Sequence, residues 1–574
     1  MDELNEIYDI QDQLNQFDVI KIDTDEKREQ FIIETLIQIE APATLELDDE
    51  ESVKNAGKEI KNNHTYNFLN RLFKKFNKFI VIVEYDYIDR TFRDSYYEYY
   101  AFKYHEYERS CKRLCIFDYE LENELDGKYF IDVDTSILQN HFIGSMVIRP
   151  IPERSIGHTL INPKYVLLDD KERVNKEKSI FLRTSMFRIN LCGHKLYIRA
   201  FPFSMQDLAT TTCAETMLIG LMEYYNNEYS DYSRLYPSDI KRIARDSGYE
   251  RTLPSKGLSY EMISKILSCA GFEPRLVLSS PKTRISKLEL KKIMHYYVES
   301  GIPIGVGVTI LNNNLHTCTC IGHGEIHYDR IKDEHVLELN TEGDIYFINS
   351  QSLVDDYVFV DDNKMPYTLY KCASLSQSNG METKEIKDLD LKALNIPLYK
   401  KMCLALEDAR EIFLYYLSSK EHGIKKYFGS SIATKDNPIV LRLFICSAKS
   451  FKTSRLSDLK NFSAHQTVYA NLKLPKFIEV CEIYTKDDYE KGIASGEIIL
   501  DATASVSDKA FSLILINYGG QMTVMDNKNN SVMNLLQSDD VVISEDQRVK
   551  FPGYKKNLMN IYDVENNFSN KAKK

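Results

Sequence analysis

The sequence predicts an α+β fold whose centre is helical in its first half and an antiparallel sheet in its second. Three observations carry that expectation. Residues 213–225 read as one amphipathic helix. Two further capped helical segments follow before Gly301. From Ile302 onward the pattern becomes short β-type runs separated by turns. Mixed α/β regions flank this centre on both sides.

In the first helix Ala214, Met217, Leu218, Leu221, Met222 and Tyr225 recur at helical spacing and form one apolar face. Thr212 followed by Glu215 is a capping box, so Cys213 takes the first helical position. Free N–H groups and the helix dipole at such a position favour a thiolate, which is a nucleophile. A cysteine in an apolar helix is also commonly a small buried hydrophobe. The choice rests on whether a base and an orienting group follow.

Ahead of that helix, Glu26 to Glu40 and Tyr66 to Phe76 read as helices around an acidic loop at Leu47 to Ser52. Arg71 to Phe76 reads as a solvated helix side more than as a partner-binding face. The run Phe79 to Tyr87 is β-type, rich in branched and aromatic residues. Tyr96 to His105 is dense in aromatics, but with few Lys or Arg interleaved it suits packing better than base stacking. Gly144 to Pro150 and Phe187 to Arg199 read as strands. After the Cys213 helix, two more are expected. One runs from Ser259 to about Cys269 and ends at Gly271; the other starts at the capping box Ser286 to Glu289 and stops at Gly301. Strands follow at Ile302 to Val308, Leu315 to Gly322, Asp344 to Ile348 and Tyr357 to Val360, with a turn at Asn312 to Asn314. Ser374 to Lys387 reads as a linker, Leu404 to Ser418 as a helix, Phe511 to Val524 as a hairpin, and Asn570 to Lys574 as a disordered tail.

The chain's 574 residues are too many for one core and suggest several domains. These are an N-terminal α+β accessory region over 1–195, a central domain over 196–375 and a C-terminal mixed α/β domain over 389–574. No apolar run is long enough for a transmembrane helix, and the acidic start Met1 to Glu6 lacks the character of a secretory signal. Eleven scattered cysteines therefore read as free thiols, and the expected location is cytoplasmic. A net charge of −12 argues against broad nucleic-acid or anionic-membrane binding.

Three residues fall into order around Cys213. Gln206 lies in the loop before the helix, where its amide could join the Cys213 N–H in an oxyanion hole. His316 opens a strand after a turn and could take the thiol proton. Asp361 follows the strand ending at Val360 and could hold the imidazole in one tautomer, although the adjacent Asp362 could serve as well.

This order resembles the papain-like cysteine peptidases, and most of all the bacterial double-glycine leader-processing branch. The matching pieces are Phe203-Ser-Met-Gln-Asp207 leading to Cys213, Val298-Glu-Ser-Gly-Ile-Pro-Ile304 leading to His316, and Val358 to Asn363. They span roughly residues 200–372. The resemblance implies a papain-like core, a helical half with Cys213 and a sheet half with His316 and Asp361. It further implies cleavage of a protein or peptide substrate, with Gln206 at the oxyanion and no cofactor or metal. Ala214 stands where many of that branch carry Gly, and the Gln206-to-Cys213 spacing is one residue longer than common. The flanks resemble those of larger bacterial proteins in which a Gly-x-x-Val-x-Arg-Pro segment, here Gly144 to Pro150, precedes a peptidase-like core. Such long flanks also suggest a regulated defence or toxin effector with a regulatory partner protein.

Three other readings stand beside this one. The same site could carry deamidation, amide hydrolysis or acyl transfer. A papain-like fold could be a non-catalytic protein-binding scaffold. Finally, His316, Cys318, Cys320, His323 and His327 hold zinc-type donors, but strand alternation sets the first three in a row instead of converging them on a point. His295 reads as an ordinary packed residue.

Overall fold

The computed structural model describes residues 17–40, 57–125, 130–249, 254–255, 257–279, 285–309, 314–330, 336–339, 344–372, 389–505, 512–526, 531–536 and 542–566. Leu47 to Ser52, Asn312 and Asn313, Ser374 to Lys387 and the tail from Asn570 lie outside the described residues. The molecule is mixed α/β, with antiparallel pairing dominating three sheets.

The N-terminal sheet is an antiparallel meander of Phe17–Ile22, Phe79–Tyr87, Cys111–Asp118, Phe142–Ile148 and Ile156–Ile161. Every residue from Phe79 to Val83 is buried because both faces of the sheet are covered. Strand alternation divides the run. Phe79, Val81 and Val83 join Ile32, Leu36 and Phe73 of the helices Asp25–Glu40 and His64–Phe76. Ile80 and Ile82 join Phe187, Leu196 and Ile198 on the opposite face. Those last residues correct one expectation: Phe187 to Arg199 is not one strand but the hairpin Ser185–Leu191 and His194–Ala200. Its turn residues Cys192 and Gly193 both take positive φ, and a cysteine there hides the turn from a reading of residue types.

Among the described residues three central helices follow Cys213–Glu228, not two: Pro237–Asp246, Tyr260–Cys269 and Lys287–Glu299. The extra one opens with Pro237 and has Asp239 in its first turn, start signals that outlast its thin apolar stripe. The central sheet runs, in spatial order, Thr368–Lys371, Asp356–Val360, Leu315–His323, Ile304–Thr309, Asp390–Tyr399 and Phe272–Leu278, all antiparallel.

Strand membership crosses the chain order in both directions. Ile345–Asn349, read from sequence as part of the central sheet, pairs in parallel with Ile439–Ser447 of the C-terminal sheet. Conversely, Asp390–Tyr399 follows the linker yet inserts between Ile304–Thr309 and Phe272–Leu278. Pairing partners, which local pattern does not encode, decide this. The C-terminal sheet continues through Phe477–Tyr484, Gly496–Asp501 and the hairpin Leu513–Tyr518 with Gln521–Asp526. Gly519 and Gly520 turn that hairpin with positive φ at both, the conformation a tight primed turn requires. Among the described residues no helix is long and apolar enough to cross a membrane.

Candidate active site

The start of the Cys213 helix is fixed from both sides. Thr212 is extended, and the Glu215 carboxylate reaches back to accept from its N–H at 2.9 Å while Ser255 donates to the other Glu215 oxygen at 2.6 Å. Just upstream, Asp207 Oδ1 accepts from the backbone N–H groups of Ala209, Thr210 and Thr211 at 3.0, 2.8 and 2.7 Å. The Tyr100 hydroxyl donates to Asp207 Oδ2 at 3.0 Å, so the aromatic stretch around Tyr100 serves to clamp this loop. Cys213 itself is partly exposed, whereas Cys318 and Cys320 are buried.

The sheet brings the base to it. Leu315–His323 is paired on both sides, with Val308 opposite His316, and the imidazole is buried. His316 Nε2 lies 2.8 Å from Asp361 Oδ1, and the Cys213 thiol is close enough to the imidazole to raise its pKa. Asp361 is held in turn: Oδ1 accepts from the Asn363 N–H at 3.0 Å and Oδ2 from the Tyr370 hydroxyl at 2.7 Å. Burial by itself would lower the His316 pKa. The hydrogen bond to Asp361 and the nearby Cys213 thiol, with the charges of both aspartates, outweigh burial and push it up to about 10. For Asp361 burial likewise opposes ionisation, but the His316 imidazole and the donors from Asn363 and Tyr370 hold the carboxyl below its usual range.

Asp362 is different. Its Oδ1 is 3.5 Å from His316 Nε2, yet among the described residues neither oxygen has a hydrogen-bond partner. Burial, reinforced by the Asp361 charge and only partly offset by His316, pushes its pKa up to about 7. Asp362 lines a small pocket of about 20 Å³ between the Cys213 helix and the His316 strand, together with Cys213 and Thr216, whose hydroxyl is also buried and, among the described residues, unpartnered.

Gln206 sits beside this group, but its amide donates to Asn363 Oδ1 at 3.0 Å. The same oxygen accepts from Arg154 Nη1 at 2.8 Å, and the Asn363 amide nitrogen lies 3.4 Å from His316 Nδ1. Gln206 is thus tied to the imidazole through Asn363. Its loop is anchored on the N-terminal sheet: Thr159 and Phe203 exchange backbone bonds, the Met205 N–H donates to Ile156 at 3.0 Å, and the buried Arg149 donates to the Met205 and Arg154 carbonyls. The Arg149-Pro150 end of the Gly144 to Pro150 segment therefore buttresses the site from behind.

Reading residue types alone passed over four participants: Asn363, Tyr370, Arg154 and Tyr260. Asn363 carried a local signal, since a polar residue two beyond an acid can donate its N–H back to it. Arg154 and Tyr370 carried none. The Tyr260 hydroxyl is buried without a hydrogen-bond partner. Burial first, then the charges of Cys213 and Cys318, push its pKa up to about 12, so it stays a protonated donor on the Cys213 side of the sheet.

The zinc-type row does not converge on a point. Cys318 and Cys320 contact the carbonyls of Val306 and Gly322, and His323 faces Glu299 at 2.9 Å. Donor atoms of His316, Asp361 and Asp362 do lie within 4.8 Å of one another, a spacing an ion could bridge. Holding one would break the bonds that Asp361 already makes to His316, Asn363 and Tyr370. The arrangement suits proton transfer between a thiol and an imidazole oriented by a carboxylate. Compared with family models, curated proteins and solved structures, the chain matches none.

Proposed function

We propose that this chain is a cysteine-nucleophile hydrolase that cleaves peptide bonds through Cys213, His316 and Asp361 on a papain-like core. The observation that carries the reading is the buried His316 imidazole bonded to Asp361 at 2.8 Å and close enough to Cys213 for the thiol to raise its pKa, with the cysteine partly exposed at a helix N-terminus. Cys213 gives its proton to His316, and the thiolate attacks the carbonyl carbon. The C–N bond breaks as the imidazolium protonates the leaving amine. Water, deprotonated by His316, then attacks the thioester; the acid leaves and the thiol is restored. Asp361 holds the imidazole in place and stabilises its cationic form. The Cys213 N–H and the Tyr260 hydroxyl are the donors available to a developing oxyanion while Gln206 is engaged by Asn363.

The test is a thiol-reactivity profile of the folded protein with iodoacetamide at about pH 6, where ordinary thiols are protonated. Cys213 is expected to be alkylated well ahead of the other cysteines, and to lose that lead in His316→Ala. If it reacts no faster than the others, the reading gives way to a non-catalytic binding scaffold. With reactivity established, a peptide library separates outcomes: a new amine terminus marks proteolysis, and released ammonia marks deamidation.

A further inference from the structure

At the end of the Cys213 helix opposite the thiol, a solvent-open cleft of about 580 Å³ lies between the central and C-terminal sheets. Its charge runs against that of the chain. Lys400, Lys401, Lys476, Lys556 and Arg183 line it with one carboxylate, Asp231, although the whole sequence carries −12. Arg183 is fixed in place by the Tyr224 hydroxyl at 2.6 Å and the Asn557 carbonyl at 3.2 Å, and its guanidinium lies 3.4 Å from Glu228. Among the described residues the four lysine ammonium groups are paired with no carboxylate; Lys476 lies over the Phe477 ring at 5.4 Å.

Four unpaired cations around one concavity repel each other, and low-dielectric walls focus their potential into it. An anion in the cleft relieves that repulsion. The helix Ala448–Asp458 adds to the field, because its N-cap Ser447 and first-turn Ser450 also line the cleft. Part of the lining is aromatic: Tyr399 and Phe477, stacked on each other with centroids 5.1 Å apart and planes 16° apart, both border the cleft. The volume exceeds what a single inorganic ion needs and suits an organic ligand.

We propose that this cleft binds a small organic anion carrying two or more phosphate groups, held by the lysines. Ligand binding is independent of Cys213 chemistry, so it stands or falls apart from the hydrolase reading.

The experiment is isothermal titration calorimetry on the full chain at about 150 mM salt, where long-range screening is strong, with tripolyphosphate and ATP as probes. Lys401→Glu/Lys556→Glu runs beside the wild type. Both lysines are exposed, so the unliganded variant should melt where the wild type does. Saturable binding of either probe, weakened about tenfold or more by the double charge reversal, supports the site. Tighter binding of ATP than of tripolyphosphate would show that the aromatic lining reads a ring; equal binding would show that the phosphates alone are read. The proposal is overturned if neither probe binds up to about 1 mM, if the variant binds as well as the wild type, or if only a single-stranded oligonucleotide binds.

Discussion

On the helix Ala448–Asp458, Arg455 lies fully buried against the C-terminal sheet between Glu482 and Glu497; in the central sheet His316 lies buried between Asp361 and Asp362. The first cluster is closed. Arg455 donates to both glutamates at 2.7 Å, and the remaining oxygens are taken by the hydroxyls of Tyr469 and Tyr484, by Arg442 and by the Tyr554 N–H. It extends through Arg442 to Glu299 and on to His323 without leaving a free carboxylate oxygen on Glu482 or Glu497. The second is open. Asp361 is fully bonded, Asp362 has no hydrogen-bond partner among the described residues, and the imidazole between them lies close to a thiol that faces a small pocket.

A buried charge network with every member satisfied holds structure, whereas one left incomplete beside a reactive group can act on something else. An unpartnered carboxyl alone does not make the difference. Glu479 is also fully buried with both oxygens free and is held protonated by burial. What sets Asp362 apart is the imidazole and thiol beside it.

The largest expected contrast separates reactivity from stability. Asp361→Asn should cut Cys213 alkylation by roughly 10²–10⁴-fold, because the amide no longer favours the imidazolium. Its urea midpoint should fall less than that of Arg455→Leu, because the amide oxygen can still accept from His316 and Asn363. Arg455→Leu should do the reverse: two carboxylates lose their buried counter-charge, costing about 3–5 kcal/mol in urea unfolding, with Cys213 reactivity retained in whatever stays folded. If both variants changed both quantities alike, the division into a structural and a reactive cluster would fail.

A smaller effect concerns pH. Asp362 titrates at about 7 in the folded chain against an ordinary 3.8, so between these values the unfolded chain releases its proton first and stability falls as pH rises. Asp362→Asn should therefore stabilise at pH 8 by on the order of 1 kcal/mol and much less at pH 4. His316 works in the opposite sense. Its contribution, raised to about 10 from 6.5, is complete below 6.5 and is lost as pH climbs through 10. Urea titrations from pH 4 to 10 would separate the two, and a flat wild-type-minus-variant difference would refute the Asp362 assignment. The smallest effect is local. Thr212→Ala removes one half of the capping box and should cost about 1 kcal/mol by the same measurement.

Local signals sufficed for the elements that carry Cys213 and His316. The capping box, the Ser286 cap and the positive-φ Gly301 act within a turn or two, and β-branched and aromatic runs report strands directly. The hairpin at Cys192 and the helix at Pro237 escaped because their signals were carried by an unusual turn residue and by a short apolar stripe.

From the sequence alone one could know the order Gln206, Cys213, His316 and Asp361, the position of the cysteine on a helix end, and the α+β character of the chain. Only tertiary structure decided that Ile345–Asn349 joins the C-terminal sheet, that Arg154 comes from 209 residues away to share Asn363 with Gln206, and that Asp361 and not Asp362 takes the short bond to His316. The reason is range. A cap or a strand is written in adjacent residues, whereas strand partners and a buried acid's neighbours are set by which distant surfaces close against each other.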